Sequence, residues 1–222
     1  SCANAFALRG ATPVFVDIRP DTFNIDETLL DAAITDRTKA VLVVHYAGVA
    51  CEMDAISKVA DHHGIAVIED TAHALGATYH GRQLGSFGSL ATLSFHETKN
   101  IHCGEGGALL VNDPDLLDRA EVLREKGTNR SRFFRGQVDK YTWVDLGSSY
   151  LISDLLAAFL TAQLRDFDEI QARRMHVWST YRTALDEWAG SAGFVMPDPP
   201  AHTRLKDALG PPFGSGSTAG RF

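Results

Sequence analysis

The 222-residue sequence has few cysteines and no excess of basic charge, and each shortage excludes a class of protein. Cys2, Cys51 and Cys103 are odd in number and far apart, so they suggest neither a disulfide framework nor a zinc-ligand spacing. This usage is typical of a reducing compartment, and we expect a cytoplasmic protein. A formal net charge of −7 argues against nucleic-acid binding, which usually needs a basic stripe. No apolar run approaches the length of a membrane span.

What the sequence does have is a regular alternation of strand-like and helix-like segments, with 45% hydrophobic residues to form a core. Apolar or β-rich runs predict strands at 13–18, 39–44, 65–69, 90–95 and 108–111. Helical spacing predicts helices at 24–34, 53–63, 114–126 and 152–188, the last as one bent helix or two. Asp26 is a predicted N-cap, and Gly64 a predicted C-terminal stop. This pattern favours an α/β fold with a mainly parallel sheet covered by helices on both faces.

Polar side chains follow the ends of several of these predicted strands. His45 and Asp70 each come directly after a buried run, and Ser94 lies at the end of the next one. Lys99 follows five residues after Ser94, and the Gly-rich turn Gly104–Gly107 comes just beyond it. Because ligands of open α/β sheets bind beyond the carboxyl ends of the strands, these groups predict one anion-binding rim.

Each of these residues also has a plainer interpretation when it is taken alone. Lys99 could be a solvated surface lysine, because lysines are mostly exposed. Asp70 could cap a helix or form a turn, and Ser94 could be an ordinary strand-end hydroxyl. His73 could be a partly buried histidine with its hydrogen bonds satisfied. Periodicity and composition alone therefore lead no further than an α/β domain with an anion-binding rim.

The combination of three segments is more specific than its parts. EDTAHALGA at 69–77 is followed by SFHETKN at 94–100 and GEGGALLVN at 104–112. In this order and spacing they resemble the DegT/DnrJ/EryC1/StrS family of sugar aminotransferases, and the resemblance covers about 1–197. It implies the fold-type-I, aspartate-aminotransferase-like architecture and the cofactor pyridoxal 5′-phosphate.

The resemblance also implies roles for individual residues. Lys99 matches the lysine that forms a Schiff base with the cofactor, and Asp70 matches the partner of its pyridine nitrogen. His73 matches a position near the ring and its 3-hydroxyl, and Ser94 matches a phosphate ligand. Ser149 stands where many members have an asparagine that reaches the phosphate of a neighbouring subunit. These assignments suit the chemistry, since the cofactor needs an amine, a carboxylate and phosphate donors.

A narrower similarity suggests a substrate. HYAGVACEMD, SFHETKNIHCGEGGA and LAAFLTAQL are similar to the branch of the family that aminates a 4-oxo sugar in enterobacterial common antigen synthesis. This implies TDP-4-oxo-6-deoxyglucose and L-glutamate as substrates and TDP-4-amino-4,6-dideoxygalactose as product. The Arg-rich and aromatic connection 127–147 suits recognition of the sugar-linked diphosphate. The alternatives are amination at C3 or of another nucleotide sugar, and a non-catalytic regulatory protein that binds the same cofactor. Lys99 argues against a related dehydratase, which carries histidine there.

The family pattern also implies a domain organisation and an assembly. We expect 1–165 to be the cofactor-binding large domain without its N-terminal part, and 166–198 to begin the small C-terminal domain. The segment 199–222 departs from the pattern, from about Ala201, and is expected to be a disordered tail. A homodimer with shared active sites is implied for the full-length protein. The chain as given is expected to be incomplete at both ends and poorly active by itself.

Overall fold

The computed structural model describes residues 1–194, 196–197 and 199–204. Its helices are α1 (Cys2–Ala7), α2 (Leu30–Ala33), α3 (Met53–His63), α4 (Leu117–Arg124), α5 (Arg130–Phe134), α6 (Asp154–Arg165) and α7 (Phe167–Ala192). Its strands are β1 (Ala40–Val44), β2 (Ala66–Asp70), β3 (Thr78–Tyr79), β4 (Arg82–Gln83), β5 (Leu90–Ser94), β6 (Gly107–Val111) and β7 (Thr203–Arg204). Short 3₁₀ turns lie at Glu27–Leu29, Tyr46–Gly48 and Pro114–Leu116.

The central sheet has four strands in the order β1-β2-β5-β6. β1 pairs with β2 and β2 pairs with β5 in parallel, whereas β5 and β6 are antiparallel. The register places Val44, Asp70 and Thr92 side by side, so the strands end along one edge of the sheet. This confirms the expected α/β fold with a mainly parallel sheet.

Helix α3 makes the crossover between β1 and β2 that a parallel pair requires. Its buried residues Met53, Ile56 and Ala60 recur at helical spacing, so they form the face that packs against the core. Gly64 ends the helix in the left-handed conformation, with φ of +63°, as predicted from the sequence.

The other predicted helices are present with altered bounds. Asp26 accepts a hydrogen bond from the Thr28 amide at 3.0 Å and caps the 3₁₀ turn before α2, which is shorter than predicted. The segment from Pro114 begins as a 3₁₀ turn and continues as α4. The predicted 152–188 region contains two successive helices, α6 and α7, rather than one bent helix.

Two predictions at the edges of the fold are wrong. The run 13–18 is not a strand, because only Ile18 pairs with another segment, at Ile25, and Phe15 is 82% exposed. The tail is ordered at its start, because β7 pairs with β3 and Thr203 accepts a hydrogen bond from the Ala50 amide at 3.2 Å. The rest of the predicted tail, 205–222, lies outside the described residues.

The core has two parts. The larger part includes Val43, Met53 and Val67, and the smaller one joins Phe95 and Ile101 of the loop after β5 to α6 and α7. Over the described ranges, no helix combines the length and the apolar character needed to cross a bilayer.

Candidate active site

An open cavity of about 280 Å³ lies beyond the carboxyl ends of β2 and β5. Its volume is close to the lower end of the range typical of small-molecule sites, roughly 300–1,000 Å³. Polar and apolar groups line it in similar measure. The lining residues are Tyr46, Ala47, Ala72, His73, Leu75, Ser94, Thr98, Lys99, Asn100 and Ile101. His73, Ser94 and Lys99, three of the residues selected from the sequence, therefore meet in one place.

Lys99 is half-buried on a loop that the Gly-rich turn closes. Its amide donates to the His96 carbonyl at 2.9 Å, and the Phe95 amide donates to the Gly106 carbonyl at 2.8 Å. A Cβ at Gly106 would lie 2.6 Å from Cys103 Sγ, so a side chain there would push the loop apart. The turn thus holds the lysine-bearing loop against the end of β5.

Asp70 ends β2 beside the cavity, although it is not among the lining residues. Its Oδ1 accepts a hydrogen bond from the Ala72 amide at 2.9 Å, and its Oδ2 accepts one from the Cys2 thiol at 2.7 Å. Burial, together with the hydrogen bond and the charge of Asp70, raises the pKa of Cys2 to about 11. Cys2 therefore stays protonated at neutral pH and acts as a donor to the carboxylate.

His73 forms an exposed wall of the cavity next to Tyr46, with ring centroids 5.8 Å apart. Its Nδ1 accepts a hydrogen bond from the Ala47 amide at 3.3 Å. Partial desolvation and the positive charge of Lys99 hold the pKa of His73 below its ordinary value, against the opposing charge of Asp70. The ring is therefore neutral at pH 7.

Ser94 and Ser149, the two predicted phosphate ligands, lie in different places. Ser94 ends β5, lines the cavity and accepts a hydrogen bond on Oγ from the His96 amide at 3.4 Å. Ser149 is exposed, pairs through its backbone with Glu125 and does not line the cavity. Ser149 is therefore not placed to contact a ligand in the cavity of its own chain.

His45 is the one strand-end residue that the rim prediction misplaced. It is fully buried, with its Nδ1 accepting from the Cys51 amide at 3.1 Å and its Nε2 facing Glu69 Oε2 at 3.1 Å. The amide at Nδ1 leaves the proton on Nε2, so His45 donates to Glu69. Because both ring nitrogens are used inside the protein, His45 supports the fold and does not contact a ligand.

Glu69 holds the loop before β5 from within the sheet. Besides His45, its carboxylate accepts hydrogen bonds from the amides of Gly85, Phe87 and Gly88 at 2.7–2.8 Å. Burial alone would raise the pKa of Glu69, but these four donors outweigh it and hold the pKa below its ordinary value. Glu69 is thus a buried, ionised and fully bonded residue next to Asp70.

The Arg-rich region offers less free positive charge than the sequence suggested. Arg119 pairs with Asp145, Arg135 forms two hydrogen bonds with Glu121 at 2.8 and 2.6 Å, and Arg132 lies 3.9 Å from Asp118. These arginines are neutralised within the chain. The proposal that 127–147 recognises a diphosphate therefore gains no support from them.

Sequence reasoning missed the Tyr46–Gly48 turn and Cys2. Tyr46 and Ala47 line the cavity directly after His45, so the rule that selected Asp70 at the end of β2 would also have found them at the end of β1. No local signal identified Cys2, because its contact with Asp70 joins residues 68 positions apart.

Comparisons with known proteins are consistent with this geometry. The model of the DegT/DnrJ/EryC1/StrS aminotransferase family matches residues 1–206. This chain belongs to that family. The match extends past Ala201, where the sequence was expected to leave the family pattern.

The relatives and solved structures that resemble the chain are about twice as long. Spore coat polysaccharide biosynthesis protein SpsC of Bacillus subtilis (strain 168) is 42% identical over 193 residues, which are 86% of this chain and 50% of SpsC. The PLP-form of the sugar aminotransferase Spr1654 of Streptococcus pneumoniae has a TM-score of 0.73 at 28% identity, covering 82% of this chain and 50% of that one. DesI, solved in the presence of its TDP-sugar product, has a TM-score of 0.68 at 38% identity, covering 79% and 43%.

Proposed function

We propose that this chain contributes the cofactor-binding part of a pyridoxal-phosphate-dependent aminotransferase that acts on a nucleotide-linked sugar. The observation that supports this best is the meeting of Lys99, His73 and Ser94 in one cavity, with Asp70 at its edge. Family membership and the PLP-form of a similar structure support the same cofactor. The chain spans about half the length of the relatives that it matches.

The groups present suit this cofactor. It needs an amine to hold it, a carboxylate for its pyridine nitrogen and donors for its phosphate. The cavity supplies the amine of Lys99 and the hydroxyl of Ser94, and Asp70 lies one strand away. When bound, pyridoxal phosphate supplies an electron sink for the substrate's carbon atoms.

The chain's residues then divide the work. Lys99 would hold the cofactor covalently through its amine, and the same amine would act as the base and acid that moves the substrate's Cα proton. Asp70 would keep the proton on the pyridine nitrogen, Ser94 would bind the phosphate, and His73 would contact the ring near its 3-hydroxyl.

Ser149 is proposed to reach the phosphate of a neighbouring subunit in a homodimer. It is exposed and lies apart from the cavity of its own chain. Apolar side chains next to it are exposed as well, with Leu155 83%, Tyr150 59% and Leu151 50% exposed. Exposed apolar patches of this kind mark interaction surfaces. Within each subunit, we propose 1–165 as the large domain and 166–198 as the start of the small one.

The proposed sugar substrate is TDP-4-oxo-6-deoxyglucose, with L-glutamate as amino donor and TDP-4-amino-4,6-dideoxygalactose as product. The similarity of HYAGVACEMD and LAAFLTAQL to that branch supports it, as does the TDP-sugar product of DesI. The proposed pathway is the synthesis of enterobacterial common antigen or lipopolysaccharide. NMR of the product would locate the new amine. Amine at C4 of the galactose epimer is expected, and amine at C3 or no product from this sugar would contradict the assignment.

The cofactor proposal is tested by substituting its lysine. Lys99→Ala should abolish the visible absorbance that a lysine-linked cofactor gives. Lys58→Ala is a matched control, because Lys58 is exposed on α3 away from the cavity. Survival of the absorbance in Lys99→Ala, or its loss in both variants, would contradict the proposal. A cofactor that binds but never turns over with any donor would favour the regulatory alternative.

A further inference from the structure

The wall of the cavity at Tyr46–Gly48 is a strained turn. Ala47 has φ of +52°, a left-handed conformation that non-glycine residues rarely adopt. Phe23, whose ring lies edge-on to Tyr46 at 6.5 Å, has φ of +59°. Such conformations cost free energy and persist where surrounding contacts impose them. Phe23 contacts Tyr46, and Ala47 directly follows Tyr46. Two such conformations at one place indicate that surrounding contacts hold this part of the wall.

Asn24 is the residue that holds it. Its side chain is 2% exposed, its Nδ2 donates to the Val49 carbonyl at 2.9 Å, and its Oδ1 accepts from the Tyr46 amide at 2.9 Å. Asn24 is itself fixed, because its carbonyl accepts from the Arg19 amide at 2.8 Å. One buried amide thus joins both ends of the turn to a second segment of chain.

The Tyr46–Gly48 turn determines which ring nitrogen of His73 carries the proton. The Ala47 amide points at Nδ1, which must carry a lone pair to accept its proton. A neutral imidazole that accepts at Nδ1 carries its proton on Nε2. Over the residues that the structure describes, the Ala47 amide is the one hydrogen-bond partner of the His73 side chain. Nε2–H is therefore left for whatever occupies the cavity.

We propose that Asn24 is a positioning residue that, through the Tyr46–Gly48 turn, fixes His73 as the neutral Nε2–H tautomer and so makes it a hydrogen-bond donor to an oxygen of the bound ligand. The proposal rests on the proposed function, since it describes how the chain prepares that site. In this proposal His73 does not act as an acid or a base, and Lys99 carries out the proton transfer.

The test is histidine side-chain NMR on the ¹⁵N-labelled, cofactor-free chain, comparing the unsubstituted protein with Asn24→Ala. The unsubstituted protein should show His73 neutral at pH 7 with its proton on Nε2. In Asn24→Ala the ratio of Nε2–H to Nδ1–H should fall about 2- to 10-fold, as expected for loss of one ordinary hydrogen bond.

Asn112→Ala is the control, because Asn112 also bridges two backbone groups, donating to the Gly85 and Gly88 carbonyls at 2.9 and 2.8 Å, away from the cavity. It should leave His73 unchanged. If Asn24→Ala does not fold, Asn24→Asp keeps the size and the acceptor for Tyr46 and should shift the ratio in the same direction. An Nδ1–H or charged His73 in the unsubstituted protein overturns the proposal, as does an unchanged ratio in a folded Asn24 variant.

Failure of this proposal and failure of the proposed function are distinguishable. The tautomer is measured without cofactor, whereas the cofactor assignment depends on the absorbance of Lys99→Ala. A fixed tautomer in a chain that binds no cofactor at Lys99 would keep the positioning role and remove the function. If His73 shows no preferred tautomer in a chain that binds the cofactor at Lys99, the function would stand and the positioning role of Asn24 would be removed.

Discussion

Two sets of one acid and one histidine, which we call pairs, lie side by side in this chain and differ in their surroundings. Glu69 and His45 are completely buried, whereas Asp70 and His73 lie at the rim of the cavity. Both histidines accept a backbone amide at Nδ1, so both carry a proton on Nε2. His45 donates that N–H to Glu69, while no residue in the described part of the chain accepts the Nε2–H of His73.

The difference follows from the strand geometry. Neighbouring residues of a strand point to opposite faces, so Glu69 and Asp70 cannot share surroundings. Glu69 has four donors around its carboxylate, and Asp70 has the Ala72 amide and the Cys2 thiol. Chemical type alone therefore does not separate a structural pair from a functional one. The number of partners inside the protein does.

The largest expected effect is on stability at Glu69. Glu69→Ala should lower the free energy of unfolding by about 3–5 kcal/mol, because it leaves a buried histidine and three amides without their acceptor. Asp70→Ala should cost about 1–2 kcal/mol, because two donors at a partly exposed site are affected. Urea denaturation followed by circular dichroism measures both. Equal losses would remove the distinction between the pairs.

The thiol of Cys2 reports on the rim carboxylate. At pH 8 its alkylation by iodoacetamide should be slow, because its raised pKa of about 11 leaves little thiolate. Asp70→Asn removes the neighbouring charge and should speed the reaction about 3- to 10-fold. Cys103, which is buried next to the Gly-rich turn, serves as an internal control in the same mass spectra. An unchanged Cys2 rate would mean that the Asp70 contact does not control the thiol.

The pH dependence of stability should separate the two pairs. The pKa of Glu69 is lowered on folding, so its stabilising effect is present above the ordinary value of 4.5 and is lost as pH falls through the folded pKa. His73 also has a lowered pKa, so its stabilising effect is lost at higher pH, as the pH falls below 6.5. When the free energy of unfolding is plotted against pH, Glu69→Gln should show a smaller loss of stability than the unsubstituted protein as the pH falls below 4.5. His73→Gln should show a smaller loss as the pH falls below 6.5. Identical profiles for the two variants would contradict these positions.

The smallest effect is expected at the strained turn. Ala47→Gly should raise stability by less than about 1 kcal/mol, because relief of a left-handed alanine, about 1–2 kcal/mol, is offset by the greater freedom of glycine in the unfolded chain. Thermal unfolding measures it. Ala55→Gly, on the exposed side of α3, should instead destabilise by about 0.5–1 kcal/mol. If both variants lose stability equally, the turn is not strained.

The sequence predicted the parts of this molecule that depend on local patterns. The apolar runs that became β1, β2, β5 and β6 and the stop at Gly64 could be read locally, as could the strand-end positions of Asp70 and Ser94. The run 13–18 has the composition of a strand but lacks a continuous partner, and pairing is a property of two segments.

Long-range contacts account for the features of the site that were missed. Asn24 acts through residues 22 and 25 positions away, and Cys2 reaches Asp70 across 68 positions. His45 and Asp70 have the same strand-end signature in the sequence, and only the packing of Glu69 against the loop before β5 distinguishes them. The complete burial of His45 and the partial exposure of Asp70 follow from that packing.

The most direct test of the account is to locate the cofactor on the chain. Pyridoxal phosphate bound to the protein would be reduced with borohydride, and the modified lysine would be identified by peptide mass spectrometry in the unsubstituted protein, Lys58→Ala and Lys99→Ala. The account predicts a pyridoxyl group on Lys99 in the unsubstituted protein and in Lys58→Ala. In Lys99→Ala it predicts that no single lysine is selectively modified. A pyridoxyl group on another lysine, with Lys99 unmodified, would contradict it.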